Sequence, residues 1–387
     1  MILIKKIIIN IYKSLKIYNL NYNSQMLIPF VKPFSPPGVG NKIQKILDSG
    51  YISEGKYVNK FENKLKVFFN NSNCCVVNSG TSGIKLAYDL CDLRQGDEVI
   101  TTPLTCPATN LPLLDYGVKI KFADIDINTG NICPQSIKRL LTSKTRLIVA
   151  VDWSGIPCNY EEIQEICKKN KLLLVEDAAH SFGAEYQGKK IGNLADFTIF
   201  SFQAVKHMTT GDGGLVVTKN KKKCEKLKLK RWFGINRNFR GHKWKQDIKF
   251  NSYKFHMNEI AAMIGLEQLK TIRSKISLHK KNGIYLDNHI ENKKITKLIK
   301  TKNTQSSYWV YSLLVNNKKS FQKYLLDHKI RSDELSFRND RYTVFKNAEK
   351  DKLINTNLFD KYMINIPCGW WLKKNQIEYI ANKVNLF

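Results

Sequence analysis

The chain has 387 residues, 43% of them hydrophobic, which is enough for one large domain and a smaller one. Its formal charge of +30 would suit a polyanion, but lysine far outnumbers arginine and is scattered with Ile and Asn along the whole length. That describes a solvated surface and argues against nucleic-acid binding.

Nine cysteines (Cys74, Cys75, Cys91, Cys106, Cys133, Cys158, Cys167, Cys224, Cys368) form an odd set without a C-x-x-C pair, so reduced thiols in a cytoplasmic protein are expected, with no disulfide frame and no metal site. Residues 1–20 are apolar but interrupted by Lys5, Lys6, Lys13 and Lys16, too often to cross a bilayer. Residues 1–25 are read as an amphipathic extension, with Met26 a second possible start, and no membrane insertion is expected.

From Met26 onward short apolar runs alternate with helical segments. Strands are expected at Asn73–Val77, Glu98–Thr101, Val118–Phe122, Arg146–Val151, Leu172–Val175, Phe197–Phe202 and Leu215–Val217, and a helix at Thr81–Cys91. The alternation predicts an α/β fold, a mostly parallel sheet sandwiched by helices. After about Leu269 a basic helical stretch, Ser274–Ile290, opens a different pattern, so the chain divides into 26–270 and a smaller α/β C-terminal domain, 271–387.

Ligands gather at the carboxyl ends of such strands. There Asp177 closes one apolar run, while Lys206 follows another and precedes Gly211, Gly213 and Gly214. A lysine amine that condenses with an aldehyde, and a carboxylate beneath a pyridine nitrogen, are what pyridoxal phosphate (PLP) needs. Phe202, Ala204 and Val205 are expected to desolvate the amine and favour its neutral form. His180, three residues after Asp177, either bonds the cofactor's ring oxygen or merely packs at a helix start. The turn Asn78–Gly83 joins a strand to a helix. Its free N–H groups, with Thr81 and Ser82, either hold a phosphate or only cap the helix. Ser201, at a strand end, is a further candidate for the same phosphate.

Five segments in order, SGTSG (79–83), GDEVITTPLT (96–105), FADID (122–126), VEDAAHSFGA (175–184) and SFQAVKHMTTGDGG (201–214), resemble the DegT-type sugar-nucleotide aminotransferases. The likeness runs from Phe30 to the C-terminus. It implies PLP, the aspartate-aminotransferase fold (fold type I), and a reaction passing nitrogen from an amino donor, glutamate, to a keto group of a nucleotide-linked deoxysugar. The product would feed glycan or antibiotic-type assembly. By the same resemblance Lys206 is the cofactor-binding lysine, Asp177 the ring-nitrogen partner and His180 the residue near the ring hydroxyl. Gly80, Thr81, Ser82 and Ser201 form the phosphate cradle. Lys254, in the 253–257 segment, would reach a neighbouring subunit's phosphate in a homodimer with shared active sites.

The chain departs from the family at Cys106, where many relatives place a ring that stacks on the cofactor. The segments 232–237, 338–340 and 368–371 resemble substrate-side stretches, in which Arg237 and Arg338 are either anion clamps or surface arginines. Two alternatives remain: a PLP-dependent dehydratase, in which histidine replaces the lysine and for which His207 is the neighbouring candidate, and a non-catalytic regulatory or nucleic-acid-binding relative.

Overall fold

The computed structural model describes residues 27–335 and 337–387; the expected extension over 1–25 and the start at Met26 lie outside them. Seven strands of the large sheet come from the first part of the chain: β1 (Cys74–Val77), β2 (Glu98–Thr101), β3 (Lys119–Phe122), β4 (Thr145–Val151), β5 (Leu173–Asp177), β6 (Phe197–Ser201) and β7 (Gly214–Thr218). They lie in the order β1-β7-β6-β5-β4-β2-β3, and Glu349–Lys350 adds an eighth strand beyond β3. β7 runs antiparallel to both of its neighbours, while every other pairing is parallel. All seven sequence-predicted strands are present, most within a residue or two of their expected ends.

The strands are buried on both faces, which is why they read as continuous apolar runs. Successive residues of one strand feed opposite cores. Cys74, Val76, Leu174 and Phe200 join helices α1 (Lys56–Phe69) and α3 (Tyr160–Asn170) on one side. Cys75, Val77, Val175 and Ile199 join α2 (Gly80–Asp89) on the other. The central strands are thus dry, and polar groups at their carboxyl ends are shielded from beneath.

Beyond residue 270, α4 (Ile272–His289) leads to an antiparallel three-stranded sheet of Ile295–Lys297, Tyr311–Val315 and Met363–Ile366. Its own core includes Leu313, Phe321, Ile364 and Ile380. No helix among the described residues is long and apolar enough to cross a membrane.

Helix α2 begins where it does because Ser79, in extended conformation, accepts the Ser82 N–H at 3.0 Å and caps the first turn. The start of β7 is held against this cap so closely that a Cβ on Gly214 would lie 2.6 Å from the Ser79 carbonyl oxygen and 2.8 Å from the Gly80 nitrogen. Backbone cannot yield as a side chain does. Gly214→Ala should therefore cost about 1–3 kcal/mol in urea unfolding, and by displacing the helix start it should weaken PLP binding in the same preparation.

Candidate active site

The connections that follow β1, β2, β5 and β6, with the end of β4, surround a cavity of about 220 Å³ at the carboxyl edge. Gly80, Thr81, Cys106, Asp177, His180, Ser201 and Lys206 all line it, so most of the expected residues come together, from segments well apart in sequence.

Asp177 is the last residue of β5 and is 5% exposed. One carboxylate oxygen accepts from Thr109 Oγ1 at 2.6 Å, the other from the Ala179 N–H at 3.1 Å. Thr109 is in turn paired with Thr105 at 2.7 Å. Burial raises the acid above the usual carboxylate range, against the Thr109 and Ala179 hydrogen bonds and the Lys206 charge. Loss of hydration outweighs those three favourable contacts, and among the described residues no cation forms an ion pair with Asp177.

Lys206 sits in the turn after β6, where its N–H bonds the Gln203 carbonyl at 3.0 Å. Burial pulls the amine down to about 8, opposed by Asp177 and Cys106. The dry wall is not the one the flanking residues suggested. Phe202 points into the core against Phe61 and Phe182, while the amine lies 3.9 Å from the ring centroid of Trp309, a residue of the C-terminal part. His180 stacks on the same indole with centroids 4.0 Å apart. Burial, then the Lys206 and His207 charges, hold its imidazole well below the usual value, so it is neutral at pH 7, and its buried Nδ1 has no partner among the described residues.

Of the residues expected to cradle a phosphate, Gly80, Thr81 and Ser201 line the cavity. A Cβ on Gly80 would lie 3.1 Å from Ser201 Cβ and 3.3 Å from its Oγ, so the bare start of α2 and the end of β6 converge. Thr81 faces the cavity with them. Ser82 does not: it is 8% exposed and its hydroxyl is 2.9 Å from that of Ser79, inside the cap. The turn thus lines the cavity through Gly80 and Thr81 and caps the helix through Ser79. Lys254 lies outside the cavity of its own chain, on an exposed segment that bridges Trp232.

The suggested clamps and substrate-side stretches take other places. Arg338 is 3% exposed and forks onto Asp340 at 2.9 and 2.8 Å, while Asn339 is tied to the Thr105 carbonyl at 2.7 Å. That run is a brace for the 102–110 loop, because its guanidinium is already spent. Arg237 donates to the Glu54 carbonyl at 2.9 Å and lies over Trp232. Trp370 and Trp371 donate to the carbonyls of Lys32 and Pro29, fastening the N-terminal described segment. The residues that sequence reasoning missed, Thr109 and Trp309, act through tertiary contacts and carry no local signature.

An amine made nucleophilic by burial, a buried acid short of a cation, an imidazole with a free nitrogen and a glycine-opened helix start, all on one cavity, fit the aldehyde, ring nitrogen, ring oxygen and phosphate of PLP. The sheet and this donor set define a PLP-dependent enzyme of fold type I. Residues 39–385 match the DegT/DnrJ/EryC1/StrS aminotransferase family. A Campylobacter jejuni relative, UDP-4-amino-4,6-dideoxy-N-acetyl-beta-L-altrosamine transaminase, is 32% identical over 350 residues, 88% of this chain and 92% of its own. The solved structure of the sugar aminotransferase CalS13 from Micromonospora echinospora superposes with a TM-score of 0.88 at 29% identity, covering 93% of this chain and 99% of that one. That of E. coli GDP-4-keto-6-deoxy-D-mannose-3-dehydratase with bound hydrated PLP gives 0.86 at 25% identity, over 93% and 100%. The chain belongs to the DegT/DnrJ/EryC1/StrS family and is a PLP-dependent sugar aminotransferase.

The raised Asp177 fixes the sign of a stability effect. A carboxyl with a higher pKa in the folded than in the unfolded chain loses stability as pH climbs from the unfolded value through the folded one, and the loss is complete above it. Asp177→Asn should therefore raise the thermal midpoint of cofactor-free protein at pH 7, and the further rise on adding PLP, present in the parent, should shrink or vanish. Paired thermal scans with and without PLP read both.

Proposed function

We propose that the enzyme carries the amino group of glutamate to a keto group on a nucleotide-linked deoxysugar, in two half-reactions sharing one site. The observation that carries the reading is the convergence of Lys206, Asp177, His180 and the Gly80 helix start on a single cavity, in a chain whose relatives include a UDP-sugar transaminase. PLP, when bound, supplies an aldehyde that takes up the nitrogen and a ring that draws electrons from the bond being broken.

In this proposal Lys206 holds the cofactor through its amine. Once displaced, the neutral amine takes the proton from the glutamate α-carbon, and in the return half-reaction it places a proton on the sugar carbon that receives nitrogen. Its lowered pKa keeps a useful fraction neutral near pH 7–8. Asp177 faces the ring nitrogen, whose positive charge would offset the burial that now raises the acid. His180, neutral and with Nδ1 free, bonds the ring oxygen. Gly80 and Thr81 at the helix start, with the Ser201 hydroxyl, hold the phosphate; Ser82 contributes by keeping the cap closed. Cys106 takes the place on the cavity wall where a ring would stack.

The proposal extends to a cytoplasmic homodimer in which Lys254 reaches the neighbouring cofactor phosphate, and to residues 26–270 and 271–387 as its large and small domains. The dehydratase alternative requires a histidine in place of the lysine. His207 does not serve, since it is buried away from the cavity, with Nε2 3.0 Å from the Ser307 carbonyl and its ring against His279.

Lys206→Ala should lose aminotransfer by roughly 10²–10⁴-fold or more, while a fluorescence titration still detects PLP bound without a covalent link. An alanine variant that transfers nitrogen at the parental rate refutes the assignment. A second measurement addresses the substrate. Protein loaded with pyridoxamine phosphate is mixed with nucleotide 3-keto and 4-keto sugars, and one of them should restore the visible absorbance of the aldehyde form. If simple keto acids alone restore it, the sugar reading is lost.

A further inference from the structure

Trp309 does not line the cavity, yet it touches the groups that surround Lys206. Its indole N–H donates to the Val205 carbonyl at 2.8 Å, one residue before the lysine. Its ring lies 3.9 Å from the amine and stacks on His180 at an interplanar angle of 23°. It is itself 5% exposed, and its backbone N–H is held by the Ser154 carbonyl at 3.1 Å. The neighbouring Ser307 fixes the same wall, donating through its hydroxyl to the His180 carbonyl at 3.0 Å.

We infer that Trp309 is a positioning residue whose indole face is the seat of the Lys206 ammonium between half-reactions, when the amine is neither bonded to the cofactor nor taking up a proton. The inference rests on Lys206 being the reacting lysine. The amine has to be parked between half-reactions in a site with little water. A carboxylate would grip it tightly and would consume an acid needed elsewhere; Asp177 is already engaged by Thr109 and Ala179. A π face attracts a cation without a directional bond, so the amine can swing back to the cavity at small cost. The hydrogen bond to Val205 sets the distance, because it ties the ring to the turn that carries the lysine. Groups facing the amine from the packed elements are Asp177, Cys106, His180 and His207, with His279 behind His207.

The test is the titration of Lys206 itself. Full-length protein, with pyridoxamine phosphate bound and again without cofactor, is labelled with trace acetic anhydride across a pH series, and mass spectrometry follows the Lys206 peptide. Trp309→Leu keeps apolar bulk and removes the π face, so the midpoint should fall by about one pH unit, and Trp309→Phe should recover at least half of that fall. Should the leucine variant not fold, biosynthetic replacement of tryptophan by mono- and then trifluorinated analogues weakens the ring's negative face at nearly constant shape, and the midpoint should drop in that order. A midpoint that stays put or rises in these proteins overturns the inference. Failure of the underlying reading shows separately: a Lys206→Ala protein that still transfers nitrogen at the parental rate removes the reacting lysine, and the proposed role with it, even where the amine titrates as expected.

Discussion

A carboxyl and an amine are taken out of water at one edge of the sheet and kept from joining each other. Burial raises Asp177, lowers Lys206 and lowers His180, so each group is pushed toward its uncharged form. A direct ion pair would relieve the acid and the amine together and leave nothing for a ligand. Instead the acid is spanned by Thr109 and Ala179, and the amine lies over an indole. The electrostatic shortfall is thus left on the cavity wall, and the fold has to supply a place dry enough to maintain it.

That dryness comes from the sheet and from a second layer of buried polar groups behind it. Asp152, just beyond β4, accepts from the Cys158 N–H at 2.9 Å, Tyr160 Oη at 2.8 Å and Ser181 Oγ at 2.6 Å. It thereby binds the turn after β4 to the turn that holds His180. Glu176 points to the opposite face from Asp177 and takes the Thr198 hydroxyl at 2.6 Å. Burial raises both Asp152 and Glu176, and Asp152 raises Glu176 further. Two neighbouring acids on one strand therefore meet different fates because strand residues alternate between faces: one is locked in a hydrogen-bonded brace, the other lines the cavity.

The same alternation explains what was legible in the sequence. Apolar runs mark strands buried on both sides, and Asp177 and Lys206 stand out because polar residues at strand ends interrupt those runs. The antiparallel setting of β7 leaves no such mark, since a central strand reads alike in either direction. The orientation of Ser82 follows only from helix geometry, where the cap residue turns back on the first turn. Thr109 and Trp309 were invisible for a stronger reason. Each matters through a partner brought near by the sheet order or by the C-terminal segment, and neither belongs to a local pattern. Arg338 was misjudged although its partner lies two residues on, because an arginine's sequence neighbours do not reveal whether it folds back on them or faces solvent.

The positive charge, set aside for nucleic acid, has a place in the proposed chemistry. The cofactor phosphate, glutamate and a nucleotide-linked sugar are all anions, and an excess of 63 Lys and Arg over 33 Asp and Glu makes the surface attractive to each of them at long range. Attraction of this kind raises encounter rates without choosing among anions, and it fades with salt. Choice has to be made inside, where Arg338 and Arg231 are already occupied: Arg338 by Asp340, and Arg231 by Glu54 and Glu62 at 2.7 and 2.9 Å. The buried arginines hold the walls together, and neither is left to meet a diphosphate or a donor carboxylate.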